Sequence, residues 1–303
     1  MNKRTEGKPA VWMAAGIVAL WAGGCRSKPA PKRSAVGGVP ERIVTLAPNA
    51  AEIIAALGEA DRLVGVSRYC RDLPEVKGLP RVGGLVDPDV EAILQSQADL
   101  VVIRGRIPAV ERLCEAEGIR LHRDPTERYE DIFTAITQLG SILGCPEKAE
   151  GLIGGIRGRV ARIEAAVADL PRPRVLFTTN REPDSLSRVT TAGRPTFVSA
   201  MIEMAGGRNV FGDRSVAYPE VGLEDILVAQ PEVIIEVMPQ IDQLTPAIRD
   251  RIIRQWRRLG SMPATEHDRV YVLIDSDLIV PSARVADSVR RLARLLHPEV
   301  TID

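Results

Sequence analysis

The spacing of apolar positions changes repeatedly along the first half of the chain, and each change marks the end of a predicted element. Short runs of β-branched and aliphatic residues predict buried strands, whereas apolar positions at i, i+3 and i+4 predict helices. The predicted strands are 42–46, 63–67, 100–103 and 120–122. The predicted helices are 50–57, 90–97, 108–117 and 129–143. Strands that alternate with helices in this way indicate parallel βαβ units.

A longer helical pattern interrupts this alternation. It begins at Pro146, a residue favoured in the first turn of a helix, and continues to residue 170, just before Pro171 and Pro173. Its apolar positions form a single stripe made of Ile153, Ile156, Val160, Ile163 and Val167. The pattern also contains Gly151, Gly154, Gly155 and Gly158, each of which costs about 1 kcal/mol relative to Ala inside a helix. We expect these glycines to allow close packing of the helix against a lobe.

A second alternating set of elements follows the long helix. Its predicted strands are 175–178, 233–237 and 270–274, and its predicted helices are 196–205, 248–254 and 283–296. The chain is therefore predicted to be an α/β protein with two Rossmann-like lobes, each built on a central parallel sheet, joined by one long helix. We place the first lobe at 41–144, the bridging helix at 145–171 and the second lobe at 172–303.

One helix–strand unit occurs in both predicted lobes with the same spacing. Glu91 lies eight residues before Asp99, Glu224 lies eight residues before Glu232, and each second acid opens a strand. An acid near a helix N-terminus gains about 0.3–1 kcal/mol from the helix dipole, which explains either glutamate alone but not the shared spacing. One exposed acid on each lobe suits docking onto a two-fold symmetric, basic partner.

The first 24 residues have the composition of an export signal. Basic residues precede the apolar run 10–22, which is shorter than the roughly 20 residues needed to cross a bilayer. Small residues then precede Cys25, as in the lipobox of bacterial lipoproteins, although Ala22 stands where that motif usually has Leu. We predict a signal peptide over 1–24, lipidation at Cys25 and a disordered tether over 25–40. The mature protein would then be anchored at the periplasmic face of a membrane; an ordinary cleaved signal with an incidental cysteine is the alternative.

Composition argues against several other classes of function. The 303 residues carry 40 basic and 40 acidic side chains and only 4% aromatic residues, a balance that disfavours nucleic-acid binding. An anchored hydrolase would need a GxSxG motif or a Ser/His/acid set, and the sequence has no such motif and three scattered histidines. No CxxC or zinc-type cluster predicts a metal site, and Cys70, Cys114 and Cys145 leave at least one thiol without an internal partner. A purely structural lipoprotein remains a further alternative.

Several stretches of both predicted lobes resemble one family. They are RIVTLAPNAAE at 42–52, VGVSRYCRDLP at 64–74, residues 82–94, GRPTFVSAMIEMAGGRNVFGD at 193–213, residues 219–227, PSAR at 281–284 and RLLHP at 294–298. The most specific of them is the AGGxNxF pattern at 205–211. Over residues 41–297 the chain is similar to the helical-backbone class of periplasmic binding proteins, which serve ABC importers of cobalamin, haem and ferric siderophores.

This resemblance implies how the two lobes are used. One rigid helix would bridge them and permit only small opening motions, and the solute would lie in the cleft between the lobes. In this family a glutamate on each lobe pairs with arginines of a dimeric permease, and Glu91 and Glu224 occupy those positions. No covalently bound cofactor and no catalytic residue are implied.

The resemblance also implies a set of ligand contacts. They are Tyr69, Leu85, Tyr218, Asp277 and Arg284, of which Leu85 replaces a tryptophan of a cobalamin-binding member. The two tyrosines have a plainer interpretation as half-buried loop aromatics, and Arg284 as a surface charge that opens the last helix.

Three ligand classes remain open at this point. Similarity to the cobalamin-binding members favours cobalamin or a related corrinoid. A ferric siderophore is the alternative, because four arginines that follow predicted strands could face an anionic chelate; they are Arg104, Arg106, Arg181 and Arg188. Haem is the least favoured, because only Tyr69 and Tyr218 are placed to act as an axial ligand.

Overall fold

The computed structural model describes residues 38–301, with the exception of 71–72, 183–184, 240, 242 and 275. The predicted signal peptide, Cys25 and most of the predicted tether lie outside these residues. Within the described part, every helix is too short or too polar to cross a bilayer. The thiols of Cys70, Cys114 and Cys145 are all buried and free.

The first lobe contains a four-stranded parallel sheet in the order β2-β1-β3-β4. Its strands are β1 (Ile43–Thr45), β2 (Leu63–Val66), β3 (Leu100–Arg104) and β4 (Arg120–Asp124). Its helices are α1 (Pro48–Ala56), α2 (Val90–Gln95), α3 (Pro108–Glu117) and α4 (Tyr129–Ile142), with 3-10 turns at Ala60–Arg62 and Pro74–Val76. The parallel sheet that the sequence predicts for this lobe is confirmed.

The second lobe is built around β5 (Arg174–Arg181). The other strands are β6 (Val189–Thr191), β7 (Arg208–Asn209), β8 (Glu220–Val221), β9 (Val233–Val237) and β10 (Val270–Leu273). The helices are α6 (Phe197–Met204), α7 (Leu223–Ala229), α8 (Pro246–Arg257), α9 (Pro263–Glu266) and α10 (Val285–Leu296), with a 3-10 turn at Ser276–Leu278. The sheet order is β10-β9-β5-β6-β8, and β7 pairs with the start of β5.

This second sheet is mixed rather than wholly parallel. Strands β10, β9 and β5 run parallel, but β6 is antiparallel to β5 and β8 is antiparallel to β6. Only residues 182–188 connect β5 to β6, and a parallel crossover needs about a dozen residues or more. The central strands β10, β9 and β5 are parallel as predicted, and β6 and β8 add an antiparallel edge that the sequence did not predict.

Helix α5 (Pro146–Val167) bridges the two sheets through a shared core. Its residues Ile156, Val160, Ile163 and Val167 belong to one buried cluster that also contains β1 and α4 residues of the first lobe and β5 and α10 residues of the second. Separate apolar clusters cover the outer face of each sheet. The predicted apolar stripe of this helix thus joins the two lobes.

The glycines of α5 do not mark a close helix contact, so that prediction is wrong. A Cβ added at Gly151, Gly154 or Gly155 would meet nothing within 4 Å. The close approach is instead at Gly140 of α4, where a Cβ would lie 2.5 Å from the Cβ of Ala149. Since periodicity places the apolar stripe against the core, the glycines fall on the opposite, solvent-facing side.

Replacing these exposed glycines should stabilise the protein. We expect Gly151→Ala, Gly154→Ala and Gly155→Ala each to raise the free energy of unfolding by about 0.5–1 kcal/mol, because Ala loses less backbone entropy in a helix. Urea unfolding followed by circular dichroism measures the effect. Gly140→Ala is the matched control, and it should destabilise by about 1–3 kcal/mol through overpacking against Ala149. No gain in the α5 variants would contradict a solvent-facing glycine stripe.

The helix–strand repeat seen in the sequence has the same structure in both lobes. Ile93 and Ile226 are both fully buried, and Gln97 and Gln230, at the ends of α2 and α7, have positive φ values of 53° and 44°. β1 pairs with β3 as β5 pairs with β9. The two halves are therefore structural equivalents, with the glutamates of α2 and α7 at matching positions.

The second acid of each repeat secures the first strand of its lobe. Asp99 accepts the backbone N–H of Arg42 at 3.0 Å, and Glu232 accepts that of Arg174 at 2.8 Å. Each arginine side chain also donates to a carbonyl at the end of the preceding helix in the repeat, that of Ser96 or Gln230. The repeated spacing thus has a structural cause at its acidic end, which leaves the leading glutamates to be explained separately.

Candidate functional site

The candidate ligand site lies where carboxyl ends of parallel strands in both lobes face the junction between them, the usual binding position in open α/β sheets. Tyr69 follows β2, and the loop 83–88 lies beside it. Gly83 in this loop has φ of +86°, and its carbonyl accepts the N–H of Arg68 at 2.9 Å. An ion pair of 2.8 Å between Arg68 and Asp87 fastens the loop further.

The tip of this loop and Tyr69 form an exposed apolar surface. The side chain of Tyr69 is 54% exposed, that of Leu85 49% and that of Val86 93%. A Cβ at Gly84 would lie 2.7 Å from Cε2 of Tyr69, so the absence of a side chain there permits the position of the ring. Such exposed apolar groups are suited to cover the face of a large, partly apolar ligand.

Tyr218 contacts the other lobe at the cleft. Arg104 at the end of β3 and Glu127 before α4 form a hydrogen-bonded ion pair of 2.7 Å, and the phenol of Tyr218 lies beside both. Burial, and secondarily the carboxylate of Glu127, raise the pKa of Tyr218 to about 12 against an opposing effect of Arg104. The phenol is therefore neutral near pH 7 and presents no anion to a ligand.

Arg284 is held by a carboxylate of the first lobe. Its Nη2 donates to Oε1 of Glu52 at 2.6 Å and its Nε to Oε2 at 3.0 Å, and the hydroxyl of Ser282 also donates to Glu52. Glu52 on α1 is only 7% exposed. Arg284 thus lies at the junction of the lobes with its charge compensated.

Asp277 lies in the 3-10 turn that follows β10. Its Oδ1 accepts from Nη1 of Arg291 at 3.4 Å, and its backbone carbonyl accepts from the hydroxyl of Ser288 at 3.0 Å. Both partners belong to α10, so this acid connects the turn to the last helix.

The four arginines that could favour an anionic chelate are all paired with carboxylates. The pairs are Arg104–Glu127 at 2.7 Å, Arg106–Glu111 at 3.7 Å, Arg181–Glu236 at 2.6 Å and Arg188–Glu220 at 3.4 Å. The pair of Arg181 is fully buried, with both side chains 1% exposed. Three of these guanidinium groups have a carboxylate of their own, whereas Arg106 shares Glu111 with Arg123, which lies closer to that carboxylate at 3.2 Å.

The two predicted docking glutamates are both exposed in the first turn of a helix. Gln95 donates to Oε1 of Glu91 at 3.1 Å on α2. On α7, Asp225 accepts the N–H of Gly222 and pairs with Arg214, whereas Glu224 makes no hydrogen bond or ion pair with any residue that the structure describes.

Sequence reasoning missed Glu52 and Glu127 as residues of this junction. The signal for Glu52 was present, because it is the only charged residue of α1 and its neighbours are all alanine or isoleucine. Glu127 carried no comparable signal in its polar loop. Among the predicted residues, Tyr218 and Arg284 contact the opposite lobe, Tyr69 and Leu85 share one exposed loop surface, and Asp277 packs on its own lobe.

Comparison with known proteins identifies relatives that are all described as binding proteins. The chain is 28% identical to the vitamin B12-binding protein of Vibrio cholerae over 258 residues, which cover 84% of this chain and 89% of that protein. It is 24% identical to YvrC, an ABC transporter substrate-binding lipoprotein of Bacillus subtilis, covering 86% and 81% of the two chains. Among solved structures, the periplasmic haem-binding protein RhuT from Roseiflexus sp. RS-1 superposes with a TM-score of 0.74 at 27% identity, covering 85% and 98%.

A family profile extends across most of the chain. The profile described as periplasmic binding protein matches residues 43–276, which include both sheets and α5. The solved relatives share the two-lobed α/β architecture described above. The chain therefore belongs to the periplasmic binding protein family, whose members bind solutes and are not enzymes.

Proposed function

We propose that this protein is the substrate-binding component of an ABC importer and that it captures cobalamin or a related corrinoid. The observation that carries the choice of ligand is that three of the four candidate arginines, Arg104, Arg181 and Arg188, each have a carboxylate of their own. A ferric siderophore or a haem brings anionic groups, which need an unpaired cation to offset their desolvation. The corrin ring instead carries neutral carboxamide side chains, which suit paired charges and exposed apolar surface.

Similarity to the vitamin B12-binding protein of Vibrio cholerae supports this ligand. The loop surface of Tyr69, Leu85 and Val86 supplies apolar contact from the first lobe, and the neutral phenol of Tyr218 supplies a polar contact from the second. Haem binding is the second candidate, because the exposed Tyr69 could reach an iron and RhuT is a haem-binding relative.

Binding of hydroxocobalamin tests the proposal directly. At 100 times its dissociation constant the ligand should add about 2.7 kcal/mol to the free energy of unfolding, which corresponds to roughly 5–10 °C in melting temperature for a chain of this size. Parallel titrations with haemin and with a ferric hydroxamate siderophore provide the comparison. Tyr69→Phe is the matched variant, and it should retain cobalamin binding while abolishing any haem coordination. A shift with haemin or siderophore and none with hydroxocobalamin would reject the corrinoid.

The proposal includes export, anchoring and docking. The signal-like residues 1–24 and Cys25 support a lipid-anchored protein at the periplasmic face, as does the similarity to the lipoprotein YvrC. Glu91 and Glu224, at equivalent exposed positions of the two lobes, would pair with arginines of a dimeric permease. Removing both carboxylates should therefore weaken importer binding and leave cobalamin affinity unchanged.

A further inference from the structure

Large apolar side chains that remain exposed are concentrated near the proposed binding and docking surfaces. Among the described residues they are Val39, Tyr69, Leu85, Val86, Leu94, Val216 and Val228. Three of them form the cleft loop surface, and Val216 lies two residues before Tyr218. Leu94 and Val228 are different, because they lie on the short helices that carry the docking glutamates.

Each of these two apolar residues shares a helix face with its glutamate. Leu94 follows Glu91 by three positions and Val228 follows Glu224 by four, and both spacings bring side chains together on one side of a helix. The buried Ile93 and Ile226 occupy the opposite face of each helix. An acid and an aliphatic group are therefore presented side by side on each lobe.

The pairs of acid and aliphatic residue on the two lobes differ in the exposure of the aliphatic side chain and in the hydrogen bonding of the glutamate. Val228 is 85% exposed, whereas Leu94 is 40% exposed and so has little further surface to bury. Position 95 of α2 holds a glutamine that donates to Glu91, and the equivalent position of α7 holds Val228. Glu224 consequently keeps all its acceptor sites for a partner, whereas Glu91 must share or exchange an existing hydrogen bond.

We propose that Glu224 and Val228 form the stronger half of the importer-docking surface, and that Glu91 and Leu94 form a weaker half. This inference rests on the proposed function. The partner surface would present an arginine next to an apolar patch. Covering Val228 would exclude water from the arginine–glutamate pair, and such exclusion is what makes a central ion pair strong at an interface.

The test measures docking to the ABC importer of the source cells, purified in lipid nanodiscs and identified by its binding of the wild-type protein. We expect Val228→Ser to raise the dissociation constant about five- to tenfold, from the loss of most of the burial of one valine side chain. Leu94→Ser should raise it about two- to threefold, because less of its surface remains to be covered. Val39→Ser, an exposed valine that packs beside Gly144 after α4, is the matched control and should stay within about twofold.

The double variant Glu91→Ala with Glu224→Ala distinguishes a failure of this inference from a failure of the proposed docking function. If it loses docking while Val228→Ser binds like the wild type, the apolar half of the inference is wrong and the proposed function stands. If the double variant docks normally, the docking assignment itself is wrong. If Leu94→Ser weakens docking more than Val228→Ser, the proposed inequality of the lobes is reversed. Melting temperatures and hydroxocobalamin affinities of all variants establish that each one is folded.

Discussion

Replacing Arg181 with methionine is expected to lower the free energy of unfolding by about 3–5 kcal/mol, because it leaves a buried carboxylate without its cation. Nε of Arg181 donates to Glu236 at 2.6 Å and its Nη2 to Gln255 at 2.8 Å. Its Nη1 also donates to the carbonyl of Glu182 at 2.9 Å, so the same side chain holds the residue that directly follows β5. In the variant, the main remaining hydrogen-bond donor to Glu236 is the indole N–H of Trp256.

Two further variants test whether the loss of stability in Arg181→Met comes from the unpaired, buried carboxylate. Arg188→Met breaks an exposed arginine–glutamate pair of the same lobe and should cost at most about 1 kcal/mol. The double variant Arg181→Met with Glu236→Gln removes both charges and should recover a large part of the loss. Urea unfolding followed by the fluorescence of Trp256, the only tryptophan after the predicted signal peptide, reports on this network directly. A cost below about 1 kcal/mol for Arg181→Met would mean that the pair is solvated in solution.

Replacing Glu52 with glutamine is expected to cost about 1.5–3 kcal/mol, a value reduced from that of a fully buried pair because Arg284 is partly solvated. The carboxylate receives two guanidinium hydrogen bonds and one hydroxyl hydrogen bond across the lobe junction. Gln has one carbonyl oxygen and no charge, so it can satisfy only part of this arrangement. The loss should therefore appear as weaker coupling between the lobes.

Variants of Glu52 and Arg284 also distinguish two roles of Arg284, namely contact with the ligand and coupling of the two lobes. If Arg284 contacts the ligand, Arg284→Met should lower the affinity for hydroxocobalamin far more than Glu52→Gln does. If it mainly fastens the lobes, both variants should have the same effect on affinity, and a double-mutant cycle should give a coupling energy of about 1.5 kcal/mol or more. Calorimetric titration and thermal unfolding of the three variants measure both quantities.

The sequence predicts the features of this fold that repeat locally. The shared spacing from Glu91 to Asp99 and from Glu224 to Glu232 corresponds to matching helix–strand units, because periodicity reports which side chains are buried. β6 and β8 were not predicted, since strands of three and two residues are too short to show an alternating pattern.

The lobe junction shows why other features escape prediction. Glu52 and Arg284 are 232 positions apart, and no local pattern joins them. The prediction that the α5 glycines allow close packing failed for a different reason. A glycine, which has no side chain, is compatible both with a tight contact and with a solvent-facing surface. Only the packing around each Cβ position distinguishes the two, and that depends on the whole fold.

The three buried cysteines have a practical consequence for spectroscopy. Burial raises the pKa of Cys70 to about 12 and that of Cys114 to about 11, and it also raises the pKa of Cys145. Thiolates are the species that react with maleimides, so these native thiols should label very slowly near neutral pH. Cysteines introduced at Glu91 and Glu224, in a chain that begins after the tether, could then be labelled with a pair of spin labels or fluorophores. The native thiols would remain largely unlabelled. The distance between the two lobes could be followed in this way during ligand capture and release.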